Sequence, residues 1–455
     1  MCVKPATNRR WLSLVLSSAI GLLFIAALSM GISTDKTLAQ GPGPHSAHVV
    51  VQFIDGDTAV RPITWTGTIS RVAALKAAGF TVEHNGDAVC SIEGEGCPDT
   101  DCFCPDNWWT QGQWAGTVWD MPYPSPNLAD GDVIAFRNST NWGLTGKLPA
   151  APTYVAASDA LEWMRGQQRP DGSYDDGFDK TGASVRALIA LGSAGYDPAE
   201  WGNPNSLLDF LTVTSATATV DYAATSAAGA GKLAVGAVWT GQTVTDFVGM
   251  NLPVSITAYY SPTAGGYGDG SGDTAWATVG LHAAGEDIPT QTIDFLKSAQ
   301  NPDGGWSWNE WGTDSEIQHT ATCVQALLAA GEPVTATEVI SALAFIDGAK
   351  NGDGGYGYQV GDASDADTTA VVIQSLLSAG QNPAGNWCTT VRCHYLLSEQ
   401  AADGSFLFWG SPSLYATQEA IPALMHRPYG PLASWTYNCY GSYLPLITKN
   451  TNSTP

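Results

Sequence analysis

Two kinds of hydrophobic patterning divide the chain. Near the start, residues 48–54 (HVVVQFI) are apolar and rich in β-branched types, Asp55-Gly56-Asp57 marks a turn, and residues 59–66 read as the return strand. TISRVAALKAAG then shows helical spacing, opened by Thr68 and closed by Gly79. FTVEHN, DAVCSIEG, the Trp-rich WAGTVWDM and DVIAFRNS are further strand-like pieces. Residues 46–140 therefore predict a small α+β domain with one helix on a sheet. A Pro/Ala-rich linker follows over residues 141–154.

From residue 155 the pattern changes to Ala/Leu-rich helical stretches alternating with Gly/Asp/aromatic loops, and it repeats. QQRPDGSY (167–174), AQNPDGGW (299–306), AKNGDGGY (349–356) and EQAADGSF (399–406) each end a helix, carry Asp-Gly and finish on an aromatic; TAGGYGDG (263–270) is a shorter relative. The helices after these loops stop at Gly195, Gly241, Gly285, Gly331 and Gly380, a period of roughly 45–50 residues. Glycine there takes the left-handed cap conformation cheaply. One hairpin cannot bury both of its apolar faces, so hairpins stack on one another. Six second helices are expected near Lys180, Tyr222, Asp273, Glu316, Asp365 and Tyr415, and six hairpins can close into an α/α toroid over residues 155–428. The second unit lacks the DG-aromatic loop. Residues 429–455 are read as a non-helical tail.

Composition narrows the function classes. A net charge of −24 over 455 residues argues against nucleic acid as a partner, because the chain repels phosphate backbones. Residues 1–39 run the other way, with Lys4, Arg9 and Arg10 ahead of an apolar run from Trp11 to about Ile32, then TLAQ. This is a signal peptide with cleavage near residue 39, or, if uncleaved, a membrane anchor. The protein is expected to be secreted or held at the cell surface, touching membrane only through that segment or the tail. Eight cysteines follow the signal: Cys90, Cys97, Cys102, Cys104, Cys323, Cys388, Cys393 and Cys439. An even number in an exported chain predicts disulfides, with the pairing open.

The loop aromatics supply the candidate site. Ligand sites are concave and mostly apolar, with a few polar groups to orient the ligand. Tyr174, Tyr267, Trp306, Tyr356 and Phe406 share one repeat position and are expected to pack between hairpins. Trp308, Trp311, Tyr358 and Trp409 are extra to it and are the better ligand candidates. Trp276, His319, Asp365, Tyr415 and Gln418 lie near the starts of second helices. Trp108 and Trp109 of the small domain could face them. GDGSGD (268–273) and VGDASDAD (360–367) offer carboxylates that could hold calcium, without a complete calcium-loop signature.

The repeated DG-aromatic loops and the helices opening DTAWATVGLHAAG, HTATCVQALLAAG and DTTAVVIQSLLSAG resemble the prenyltransferase and squalene-cyclase repeat family. That resemblance implies an α6/α6 toroid of the terpenoid cyclase kind. HVVVQFIDGD, AVCSIEGEGCP, CFCPDNWW and DGDVIAF are similar to the transcobalamin-like C-terminal domain. In the transcobalamin and intrinsic-factor family a toroid and a small β-rich domain close on cobalamin; here the small domain comes first. The resemblance implies a protein that captures a small, partly apolar molecule, corrinoid-like, between its two parts. The alternatives are an enzyme and a non-catalytic surface module. Squalene-hopene cyclases protonate an alkene with an Asp in a DxDDTA motif. Asp365-Ala366-Asp367-Thr368-Thr369-Ala370 keeps the acid position at Asp367 and has Thr368 where the family has the next Asp. The competing role for both carboxylates is helix capping. The zinc of protein prenyltransferases would fall on Asp314, His319 and Cys323, although the motif around them does not match, and no metal is required.

Overall fold

A computed structural model describes residues 44–432 except 99, 105–106, 117–118, 123–124, 141–142, 145–147, 203, 310–311 and 382–394. The signal segment, Trp311, Cys388, Cys393, Cys439 and most of the tail lie outside the described residues. No helix among the described residues is long and apolar enough to cross a membrane.

The first part of the described chain is a five-stranded sheet. Strands β1 (His45–Gln52) and β2 (Thr58–Trp65) form the hairpin that Asp55-Gly56 turns. β8 (Asp132–Ser139) pairs in parallel with β1, β6 (Trp108–Trp114) is antiparallel to β8, and β7 (Trp119–Asp120) closes the edge. Helix α1 (Arg71–Ala77) is capped by Ser70, whose hydroxyl accepts from the Ala73 amide, so the start falls two residues after the expected Thr68. β3 (Val82–Asn85), β4 (Ala88–Ile92) and β5 (Glu95–Gly96) form a second sheet. Disulfide Cys90–Cys102 ties β4 to the loop before β6, and Cys97–Cys104 ties the end of β5 to the same loop.

Both faces of the main sheet are covered, which is why Val49, Val50 and Val51 of β1 run apolar without alternation. Val49, Val51, Ile134 and Phe136 pack against α1 and β4. Val50, Val60, Val133 and Ala135, one residue out of phase, join the core of the helical part. The described residues of the expected linker are therefore packed. Leu144 and Leu148 are buried, and residues 151–154 already form the first turn of a helix with Pro152 near its start, where a missing N–H costs nothing.

The helical part alternates outer and inner helices. The inner ones are α3 (Lys180–Ser193), α6 (Ala227–Trp239), α8 (Ser271–Ala283), α10 (Ile317–Ala329), α12 (Ala366–Ser378) and α14 (Leu414–Leu424). Each packs on the next, and α14 returns to α3, closing a toroid. Outside lie α2 (Ala151–Gln167), α4 (Leu207–Asp209) with α5 (Ala216–Ala223), α7 (Leu252–Thr257), α9 (Thr290–Ser298), α11 (Thr337–Gly348) and α13 (Tyr395–Ser398). A short hairpin, β9 (Leu407–Phe408) and β10 (Ser411–Pro412), precedes α14. In the irregular second unit the β-branched run TVTSATATV breaks the outer helix with a π-helical turn, Phe210–Thr214. Tyr222, expected to open an inner helix, belongs to α5; Ser226 caps α6 instead, accepting from the Gly229 amide.

The loop motif explains how hairpins hold one another. In each loop the aromatic N–H donates to a hydroxyl on the following inner helix: Tyr174 to Ser184 (3.0 Å), Tyr267 to Thr274 (2.9 Å), Trp306 to Thr320 (2.9 Å), Tyr356 to Thr369 (3.0 Å) and Phe406 to Thr417 (2.9 Å). These aromatic side chains are buried. The preceding glutamine is a staple. The Gln300 amide donates to its own Gly304 carbonyl and to Glu338 of the next outer helix, both at 2.8 Å. Gln400 does the same to Gly404 (3.0 Å) and Ala156 (2.8 Å), joining the last hairpin to the first.

Candidate functional site

Every inner helix starts just after its loop, so all six N-termini share one end of the ring and all C-termini the other. The small domain docks at the C-terminal end. Arg61 donates to the carbonyls of Ala194 (3.0 Å) and Gly195, and Arg427 donates to Gly192 (2.8 Å) while pairing with Asp57 (3.0 Å). Two guanidiniums thus cap the negative end of the α3 dipole. The aromatic loops lie at the opposite end, one helix length of about 20 Å away. Trp108 and Trp109 consequently do not face them. Trp109 is buried in the core under α1, its indole N–H on the Glu95 carbonyl (2.9 Å) and its ring edge-on to Phe53. Trp108 starts β6 of that same sheet.

The centre of the toroid is lined from the N-terminal halves of the inner helices. α3 supplies Arg186, α6 Lys232, α8 Trp276, α10 Gln318, α12 Asp367, and α14 Tyr415 and Glu419. Lys232 lies over the Trp276 ring (4.7 Å) and Arg186 over Tyr415 (4.7 Å), the latter also paired with Asp176. Gln318 donates to the Tyr415 hydroxyl (3.4 Å). The far end is stoppered. At the end of α14, His426 takes the positive φ that glycine takes in the other hairpins, and the chain turns inward. Tyr429, expected to begin the tail, is buried instead. Its ring lies on Trp239 and Trp276, its hydroxyl donates to Glu419 (2.9 Å), and its amide donates to the Gln325 side chain (2.9 Å).

The two aspartates of α12 have separate roles. Asp365 is the N-cap, accepting from the Thr368 amide at 2.7 Å. Asp367 is 7% exposed, and its Oδ1 has no hydrogen-bond partner among the described residues. Burial, then the charge of Asp365 and its hydrogen bond, push the Asp367 carboxyl up to about 8. Both effects favour its protonated form, hydrogen-bonded to Asp365. Burial likewise pulls Lys232 down to about 8.

A second cluster stands at the loop end. The Glu316 carboxylate accepts from the Trp308 amide (2.9 Å) and bonds His319 Nδ1, while the His319 ring lies 4.6 Å from Trp308 and 5.7 Å from Tyr358. Burial alone would raise Glu316; hydrogen bonds from His319 and Tyr358 outweigh it and hold the carboxyl below its usual range. The structure thus brings Trp308, His319 and Tyr358 together. Trp409 stays apart, 79% exposed in the β9–β10 turn and stacked on Phe408. Gln418 is spent on ring closure, donating to the Ala183 carbonyl (2.9 Å). Cys323 forms no disulfide among the described residues. It is buried with its thiol toward the Ser271 carbonyl, while His319 turns to Glu316, so the two do not converge on a metal. Asp273 of the first acidic loop accepts from the amides of Ala228 (2.9 Å) and Asp269 (3.2 Å), and Asp362 of the second from Gln359 (3.1 Å), so both carboxylates serve backbone. No group of three His, Cys, Asp or Glu among the described residues is placed to hold a metal ion. Sequence reasoning passed over Lys232, Arg186 and Glu419. The signal was there, since Lys232 and Glu419 are each the only charge of an inner helix and Arg186 is the only charge in the body of α3 beyond its first residue, Lys180.

Residues 287–365 match the squalene-hopene cyclase C-terminal domain. Among solved structures, a variant of the type II terpene cyclase MstE from Scytonema, in complex with geranylgeranyl dihydroxybenzoate, is similar at 12% identity and a TM-score of 0.47, over 61% of this chain and 97% of that one. A protein from Actinoplanes is similar at 16% identity and 0.44, over 60% and 99%, and a glycosidase variant in complex with glucose at 13% and 0.42, over 62% and 98%. No curated protein matches. At these identities no residue role is carried across. The chain contains a helical toroid of the prenyltransferase and terpene-cyclase-like kind, preceded by a sheet-containing region.

Proposed function

We propose that the centre of the toroid takes a small, partly apolar molecule and that Asp367 donates a proton to it, as the acid that starts an isoprenoid cyclisation. The observation that carries this is the buried Asp367 carboxyl beside Asp365, with one oxygen unpartnered among the described residues and an environment that favours its protonated form. In the step proposed, the O–H bond of Asp367 breaks and an alkene π pair takes the proton. The result is a C–H bond, an Asp367 carboxylate hydrogen-bonded into the Asp365 pair, and a carbocation that a neighbouring double bond attacks to close a ring; the new ring cation is discharged by losing a proton to water. Tyr415, which feels the charge of Asp367, offers aromatic surface beside that path. Incubating the purified protein with squalene and with geranylgeraniol tests the reading. Cyclic products, lost in Asp367→Asn, support it; no product from the unsubstituted protein ends it.

A second reading rests on a different place. A cleft of about 810 Å³ opens between the sheet domain and the C-terminal end of the ring, with Phe53, Arg61, Phe80, Tyr196, Trp201 and Trp239 in its walls. A volume of that size suits a small-molecule ligand, and the transcobalamin-like character of the first domain would make the protein a corrinoid-type binder. Calorimetry with cobalamin separates the two readings, since Trp239→Ala should abolish uptake in the cleft whereas Asp367→Asn should not affect it. In either case the chain is exported by residues 1–39 and acts outside the cell or at its surface, which fractionation of the source organism tests.

A further inference from the structure

Lys232 is the only charged residue of α6, in the stretch AAGAGKLAVGAVW. Placing an ammonium on so apolar a helix, deep in the ring, costs free energy unless an anion answers it. Among the described residues no carboxylate lies within ion-pairing distance of it, and its ammonium lies over the Trp276 ring at 4.7 Å from the centroid. The charged groups that act on it are Glu419, Arg186, Asp273 and Asp179. Each is already engaged. Glu419 accepts the Tyr429 hydroxyl, Asp273 accepts the Ala228 and Asp269 amides, Asp179 caps α3 through the Thr181 amide (3.1 Å), and Arg186 pairs with Asp176. Glu419 stands on α14, which is not a neighbour of α6 in the ring, so both side chains reach toward the middle. Lys232 also keeps part of its surface accessible, as do Arg186, Tyr222 and Tyr415. Side chains that lie deep yet remain accessible line a recess that another molecule can enter.

We infer that the molecule taken up by the toroid carries an anionic head, a carboxylate or a phosphate, that pairs with Lys232 while its apolar body lies toward Trp276 and Tyr415. This rests on the reading of the centre as a ligand site and not on proton transfer by Asp367. The test is calorimetry of the full chain with farnesoic acid, farnesyl phosphate and farnesol, three ligands with one apolar body. At least one anion is expected to bind about tenfold or more tighter than farnesol, and the tighter of the two identifies the head. Lys232→Met should remove that gap and Lys232→Arg should restore most of it, with thermal melts checking that both variants fold. Farnesol binding as tightly as both anions, or a gap that survives Lys232→Met, overturns the inference and leaves the apolar site standing. Failure of all three ligands to bind overturns the reading of the centre together with the inference.

Discussion

Replacing Asp367 by Asn should make the protein more stable at neutral pH, the reverse of what removing a buried hydrogen-bonded group usually does. The native carboxyl stands at about 8 against an ordinary 3.8. A group with a raised native value contributes its full stability below the unfolded value and loses it as pH rises toward the native one. The loss runs at about 1.4 kcal/mol per pH unit, which accumulates to on the order of 4 kcal/mol by neutrality. Asparagine keeps a donor toward Asp365 without a proton to lose. Denaturant unfolding of both proteins at several pH values between about 4 and 7.5 measures the difference. The two should be close at the acid end, with the variant pulling ahead as pH rises. Carboxyls such as Asp57 and Asp159, also raised by burial, are common to both proteins and cancel in the difference. Lys232, lowered to about 8, is likewise common to both proteins and cancels in the difference. Parallel curves across the range would refute the reasoning, because they would mean that Asp367 ionises as freely in the folded chain as in the unfolded one.

Other outcomes follow from packing and hydrogen bonding. Gln400→Ala removes the bond from the last hairpin to Ala156 and leaves buried carbonyls unanswered, so stability should fall by about 1–3 kcal/mol in denaturant melts. Gly231→Val should be worse, because a Cβ there would sit 2.1 Å from the Trp276 carbonyl oxygen where α6 and α8 touch; little soluble protein, or a melting temperature lowered by many degrees, is the expected readout. Arg427→Met removes the cap on Gly192 and the pair to Asp57, which is half exposed and therefore screened; hydrogen exchange at the end of α3 and in the β1–β2 turn should quicken, with a global cost of about 1–2 kcal/mol.

Much of the ring was legible because the repeat reports position within a hairpin. Asp-Gly-aromatic marks the turn, and the residues at Ser184, Thr274, Thr320, Thr369 and Thr417 recur because each accepts the aromatic N–H. Closure was expected from the number of hairpins, but the contacts that make it, such as Gln400 to Ala156, are recorded by no local pattern. The docking end of the small domain was only half visible. The unbroken VVV of β1 says that both sheet faces are covered, but not by what. Tyr429 escaped notice because the residue that turns the chain inward is His426 rather than glycine. Trp108 and Trp109 were misjudged for a simpler reason, that a large aromatic side chain serves a sheet core as readily as a ligand. The central charges needed a different question, namely which polar residue has no business on an apolar inner helix.

The claim on which the functional reading turns is that Asp367 holds its proton at neutral pH in the middle of the ring. Difference infrared spectra between the unsubstituted protein and Asp367→Asn at pH about 7 read this directly. The C=O stretch of a protonated carboxylic acid should be present in the first, absent in the second, and should fade as pH passes about 8. A difference spectrum carrying only carboxylate bands at neutral pH would contradict it.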